Sequence, residues 1–269
     1  MMTMITSIMT DPSTPAPCGT HRSLLRLMTW LSPAFPTGAF AYSHGLEWAV
    51  EQGDVADEMS LQRWLTDVLA YGAGRNDLIL LRHAHRAVNA QVDATFPPPG
   101  QATGQTAEVL AVDQPISSDP REAAVCLDLQ QLADLALAMA GSRERCVETL
   151  SQGRAFLLAA VPWGVPPLPE DMAYPIAVGS VAASHGVRED DVAVAFLQAF
   201  TANLVSAAVR LVPLGQTAGL RVLAALEPTI LAIAAETKPA SLDDLGGCAF
   251  RSDLAAMCHE TQYTRLFRS

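Results

Sequence analysis

Apolar residues recur along this chain at helical spacing. Leu24, Leu27, Met28 and Leu31 fall at i, i+3, i+4 and i+7, as do Leu61, Trp64, Leu65 and Val68. Each set predicts one apolar stripe on a helix. Ser60 stands just before the second set, where an N-cap belongs. Leu78, Leu81, His85 and Val88 stripe a third helix. Val125, Leu129, Leu132, Ala136 and Met139 stripe a fourth, ended by Gly141. Ser142 and Glu144 restart a helix that runs to about Pro162. After the break at Pro166-Pro167-Leu168-Pro169, the pattern predicts a helix from about Asp171 to His185, closed by Gly186. Glu189, Asp190 and Asp191 place negative charge at the start of the next helix, where the macrodipole favours it. That helix is apolar on nearly all sides up to Pro213, which predicts a central position in the bundle. A further helix spans about Gln216 to Thr237.

No period-2 strands and no βαβ alternation are visible. The expected fold is all-α: a single-domain bundle of about ten helices over residues 21–269, preceded by a disordered leader at 1–20. Residues 95–119, rich in Pro, Gly, Gln, Thr and Ser, read as a mobile insertion, not a domain boundary, because helices on both sides carry stripes that need covering. Residues 259–269 read as an extended C-terminal tail.

Composition narrows the function classes. Half of the residues are hydrophobic and 17% are charged, so the apolar surplus must fill a core, an interface or both. A net charge of -11 argues against binding a nucleic acid backbone and against adsorption to an anionic membrane. Lys238 is the only lysine. Five cysteines at wide spacing, with no CxxC pair, fit free thiols in a reducing compartment. The N-terminus has neither the basic region nor the long apolar run of a secretory signal. Gln198, Asn203 and Arg210 interrupt the most apolar stretch and argue against a lipid-spanning helix. The expectation is a cytoplasmic protein.

Candidate chemistry is sparse. His83 and His85 lie about 200° apart around a helix, so they cannot chelate one ion. His44 and Glu47 would share a face of a helix starting near Gly38, as half a metal site or a polar recognition patch. Cys258-His259 is a soft pair that nickel or copper can use. There is no nucleophile elbow, Walker loop or H-E-x-x-H motif, so no catalytic set and no cofactor site are expected. A helical enzyme assembled from distant residues stays open as an alternative.

Two segments differ from core filler. Ser32 to Glu47 sets two prolines and a glycine in a turn, then packs Phe40, Tyr42, His44 and Glu47 densely. His259 to Ser269 carries Tyr263, Leu266 and Phe267 beside Arg265 and Arg268. Aromatic residues and arginine are enriched at binding hot spots.

In these segments the chain resembles the UreF family of urease accessory proteins. LLRLMTWLSPAFPTGAFAYSHGLEWAVE is similar to the family's N-terminal signature, NLVSAAVRLVPLGQTAG to its central helix and exit, and HETQYTRLFRS to its tail. Two departures stand in the block Ala173-Tyr174-Pro175-Ile176, where the family often has His before the proline, and at Cys258, where a basic residue is usual. The resemblance implies an all-α homodimer that binds UreD (also called UreH) and recruits the GTPase UreG, so that nickel reaches apo-urease. It also implies that the tail and the N-terminal segment face UreD. Carried to this sequence, the partner-binding residues are Phe40, Tyr42, His44, Glu47, Arg251, Tyr263, Arg265, Leu266, Phe267 and Arg268. Direct nickel carriage by Cys258, His259 or His44 is the alternative within the same biology.

Overall fold

The computed structural model describes residues 18–95 and 120–269 of the chain. Ten α-helices and three short 3-10 turns make up the regular structure among the described residues. The expected leader and insertion lie outside these residues, except that Cys18–Thr20 open the first helix and Thr95 closes the fourth. The helices are α1 (Cys18–Trp30), α2 (Leu46–Glu51), α3 (Glu58–Tyr71), α4 (Ala73–Thr95) and α5 (Pro120–Ala138), then α6 (Arg143–Ala160), α7 (Tyr174–Ser184), α8 (Glu189–Leu211), α9 (Gln216–Glu236) and α10 (Phe250–His259).

Helix α7 is the axis of the bundle. Every residue from Pro175 to Ala183 is buried, and α4 and α6 pack against it. Small residues permit this. A Cβ added at Gly179 would stand 2.3 Å from the Leu81 carbonyl oxygen of α4, and one at Gly153 of α6 would stand 2.0 Å from the Met172 carbonyl oxygen. The stripes predicted for α3 and α4 are buried in full. The cap of α3 falls elsewhere than expected. Asp57 is the N-cap and accepts the Ser60 amide, while Ser60 is the third helical residue and returns a side-chain bond to the Asp57 amide. The two form a capping box.

Two stripes face differently from the prediction. On α1, Leu27 is buried, but Leu24 and Met28 are more than half exposed. Helix α8 is not the central one. It packs on α9 and α4, yet Val194, Ala195 and Ala202 are only partly buried. These residues, with Leu24 and Met28 of α1 and Leu31 just after it, line an open groove of about 860 Å³. Helices α8 and α9 are long and apolar enough to cross a membrane by length and composition alone; half of the most apolar window of α8 is buried within the fold.

An aromatic cluster closes the α1 end. The Trp30 ring meets Phe156 and Trp163 edge-on, and Phe35 lies against the same two rings. This fixes the proline-rich turn after α1 on α6. At the opposite side, the buried Arg82 guanidinium of α4 joins three elements. It donates to Glu189 and Asp190 at the start of α8, and to the Ala234 carbonyl at the end of α9. One arginine thereby serves a carboxylate pair and a free helix-end carbonyl.

Candidate partner-binding site

The N-terminal segment and the C-terminal tail are one structure. After α1 the chain passes Gly38, whose φ of 75° admits the turn into the short 3-10 element Ala39–Ala41. The helix expected to start near Gly38 starts instead at Leu46. His44 (φ 54°) and Gly45 (φ 74°) are both left-handed and interrupt any earlier helix. His44 and Glu47 are therefore not one helical face, and each turns to a different partner. Two side chains of α8 hold the segment: Asn203 donates to the Ala39 carbonyl at 2.9 Å and Arg210 to the Phe40 carbonyl at 2.8 Å. Two of the three polar residues that interrupt α8 thus dock this segment.

The tail runs back over it. Glu47 accepts the amide of Leu266 at 2.7 Å and that of Phe267 at 2.9 Å. The Arg268 amide donates to the Ala41 carbonyl, and the Ser43 amide and hydroxyl donate to the Ser269 carbonyl. Phe267 is buried, with the Arg210 guanidinium 4.4 Å from its ring centroid. His259 is fully buried, with Nδ1 2.6 Å from Glu144 and Nε2 3.2 Å from Glu47. Arg265 donates to the same Glu144 at 2.6 Å.

Beneath the tail lies a small polar chamber of about 100 Å³, lined by His44, Asp77, Arg145, Glu148 and Ser269 among others. His44 Nε2 pairs with Glu148 at 2.9 Å, and Arg145 pairs with Asp77. Burial pushes the Glu148 carboxyl up, but His44 and Arg145 outweigh it and hold the group below its ordinary value. At Asp77 burial wins over Arg145, and its carboxyl is raised. The environments of these two neighbouring acids therefore push them apart.

Eight of the ten sequence-predicted residues divide into two sets of four, and two arginines stand apart. Tyr42, His44, Glu47 and Phe267 are buried; Glu47 bonds the tail to the N-terminal segment, and His44 ties that segment to α6. Phe40, Tyr263, Leu266 and Arg268 point outward, with Leu266 76% exposed and Tyr263 fully exposed. Arg265 is exposed but paired with Glu144. Arg251 pairs with Asp54 and lies 6.0 Å from the Trp64 ring centroid, at the start of α10. Phe250, Leu254 and Met257 add an exposed apolar row on α10 at i, i+4, i+7.

The soft pair Cys258-His259 is split in its surroundings: Cys258 is half-buried and both His259 ring nitrogens face carboxylates. Among the described residues, no group of three or more His, Cys, Asp or Glu side chains is arranged to hold a metal ion. His83 and His85 bond different backbone carbonyls, those of Ala240 and Val187. Sequence reasoning missed Ser43, Glu144, Arg145 and Glu148 as parts of this site. A signal existed in α6, where Glu144, Glu148 and Gln152 repeat every four residues. Such a row reads as a solvated face until a partner element is known to cover it.

A family model described as UreF matches residues 55–227, a span that stops short of both segments. The chain is 47% identical over 256 residues to a urease accessory protein UreF from Bradyrhizobium sp. (strain BTAi1), covering 93% of each chain. It is 47% identical over 271 residues to the protein of that name from Rhodopseudomonas palustris (strain BisA53), covering 97% of this chain and all of the relative. The corresponding protein of Methylorubrum populi is 48% identical over 253 residues, covering 91% of this chain and 98% of its own length.

Proposed function

The chain belongs to the UreF family of urease accessory proteins, and from that premise we propose that it is a non-catalytic maturation factor that organises nickel delivery to apo-urease in the cytoplasm. It binds UreD (UreH) through the surface where tail and N-terminal segment join. Phe40, Tyr263, Leu266 and Arg268 make the contacts, Arg251 and Arg265 border them, and Tyr42, His44, Glu47 and Phe267 hold them in place. The observation that carries this reading is the union of the two end segments. They lie far apart in sequence, yet their backbones bond to one another and leave aromatic, leucine and arginine side chains facing outward. Of these, tyrosine and arginine dominate interface energetics when a partner desolvates them.

A second copy of the chain covers the apolar groove between α1 and α8, giving the homodimer. The dimer bound to UreD recruits the GTPase UreG and gates it by differential binding. It stabilises one nucleotide-linked state of UreG over another. A preference of about 3 kcal/mol shifts that equilibrium roughly a hundredfold, so no side chain need act on GTP. Direct nickel carriage has less support, because His44 Nε2 and both His259 ring nitrogens already face carboxylates.

The test is capture of purified UreD from the same organism by full-length chain. Leu266→Asp and Tyr263→Ala change exposed side chains and should leave the helical circular dichroism intact. Each should weaken capture by about 2 kcal/mol, roughly thirtyfold in Kd. Undiminished capture by the double variant would remove the tail from the interface.

A further inference from the structure

Helix α9 is apolar in composition but shallow in its burial. Only 33% of its most apolar window is covered by the fold. One side of the helix packs on α8 and α3. The other side is bare. Leu220, Ala224, Leu231 and Ala235 fall on one line at i, i+4, i+11 and i+15, and all four are exposed. Leu220 is 66% and Leu231 57% exposed. They stand about 16 Å apart along the helix axis, with small residues between them. Pro228 lies in the middle of this face. It has no amide hydrogen, so the Ala224 carbonyl lacks the donor that an uninterrupted helix supplies. Glu227 stands in the same line and Glu236 at its edge. Both are exposed, and neither has an ion-pair partner among the described residues. Arg221, the cation of this face, is already gripped by both carboxylate oxygens of Glu58.

The unpaired charges of this face are both negative, and its free backbone group is an acceptor. What it lacks is donors and positive charge. We propose that the exposed face of α9 docks an amphipathic helix of a partner protein, with leucine or alanine along its seam and lysine or arginine at its edges. The alanines of α9 let such a helix approach closely, and Leu220 and Leu231 fit between its side chains. Its cations meet Glu227 and Glu236 and supply a donor for the Ala224 carbonyl, giving charge-assisted bonds in place of water. Two α9 faces set together would oppose carboxylate to carboxylate, and the chain's lone lysine, Lys238, is already bonded to Asp190. A second copy therefore fits this face poorly. An anionic bilayer fits it no better, because the two glutamates would lie against headgroups of their own sign. The inference is independent of the UreD reading, which concerns the joined end segments.

The experiment uses the full chain and two synthetic helical peptides labelled with fluorescein. Both carry leucine and alanine along one seam; one has lysine along both edges, the other glutamate. Fluorescence anisotropy at low salt should give the lysine peptide a Kd of about 10 μM and the glutamate peptide one about tenfold weaker or worse. Leu231→Asp changes an exposed side chain, should keep the helical circular dichroism and should weaken the lysine peptide about tenfold. The double variant Glu227→Gln, Glu236→Gln should lose the preference for lysine over glutamate. No saturable binding of the lysine peptide overturns the proposal, and so does equal binding of the two peptides by the unaltered chain. If Met28→Glu or Leu254→Asp weakens the lysine peptide and Leu231→Asp does not, the peptide sits on another apolar surface and the α9 face is overturned. Light scattering and sedimentation with phosphatidylcholine vesicles test the other occupants. Leu231→Asp should leave the molar mass unchanged, and the unaltered chain should stay in the supernatant. A mass halved by Leu231→Asp overturns the partner helix in favour of a second copy. Sedimentation with vesicles that Leu231→Asp abolishes overturns it in favour of a bilayer.

Discussion

At single residues, the joint between the 3-10 turn and α2 is where backbone geometry is most demanding. His44 occupies a left-handed conformation that costs a non-glycine residue about 1 kcal/mol or more. It is held there by its bond to Glu148 and by the edge of Phe200, 4.9 Å away between ring centroids. Gly45 faces a harder limit. A Cβ at this position would stand 2.5 Å from the Ala256 amide nitrogen of α10, so a side chain must push α10 away. Gly45→Ala should therefore cost at least about 2 kcal/mol in urea unfolding. Gly53→Ala is the control: its φ is 77°, but nothing lies within 4 Å of the added carbon, and it should cost only about 1 kcal/mol. Equal losses would show that only the dihedral matters and that α10 does not rest on this backbone. None of this was legible beforehand. Gly45 reads in sequence as one glycine in a turn, and the helix that forbids its substitution begins some two hundred residues later. The outward set was easier to single out in the sequence. Tyr263, Leu266 and Arg268 stand out because aromatic and arginine residues are unusual at a polar chain end. Glu47 stood out equally, but its work is internal, since a carboxylate serves a partner's donors and its own chain's amides alike.

At the level of elements, helix periodicity revealed nearly every helix from α3 to α9, because each buries one continuous stripe. It failed where burial is set by distant groups. Helix α10 was not foreseen, since its start lies in a glycine- and proline-marked stretch and its row Phe250, Leu254, Met257 faces outward. The centre of the bundle was assigned to α8 for its length and apolar composition, but the shorter α7, rich in alanine and glycine, lies deeper because small side chains let neighbours approach. Arg82 gives the clearest case of hidden burial. A single arginine on α4 looks solvated until α8 and α9 bring Glu189, Asp190 and the Ala234 carbonyl to it. Arg82→Met would leave Glu189 without its buried partner and the Ala234 carbonyl with only the 3.4 Å bond from the Thr237 hydroxyl. The expected loss is about 3 kcal/mol, measured by urea unfolding followed by circular dichroism. A loss under about 1 kcal/mol would mean that Arg86 and Lys238, which also reach this carboxylate pair, suffice to satisfy it.

For the molecule as a whole, the apolar surplus in the composition is explained in part by the α1–α8 groove. Met28→Glu places a charge where the second copy is proposed to sit. It should convert dimer to monomer in light scattering after size-exclusion chromatography, with the unfolding midpoint of the monomer little changed because Met28 is exposed. Stability should also depend on pH in two stages. His85 is held below its ordinary value of 6.5 chiefly by burial, and so is the half-buried His185. The unfolded chain then binds protons at these sites more readily than the folded one. Their contribution to stability is complete above pH 6.5 and is lost as pH falls from there through the lowered folded values. The second stage lies lower. Glu148 and Glu189 have carboxyls held below 4.5, against burial, by neighbouring cations. Their contribution is present above 4.5 and disappears as pH falls through the folded values. Asp77, raised by burial, works in the opposite sense, since acid relieves its desolvated charge and makes the decline above pH 3.8 shallower. Urea midpoints at pH 7.5, 6.5, 5.5 and 4.5 should fall monotonically. In His85→Gln the decline just below pH 6.5 should flatten, because glutamine keeps a donor for the Val187 carbonyl, which His85 Nε2 meets at 2.8 Å, and has no proton to gain. An unchanged slope in that variant would assign the first stage to His185 alone.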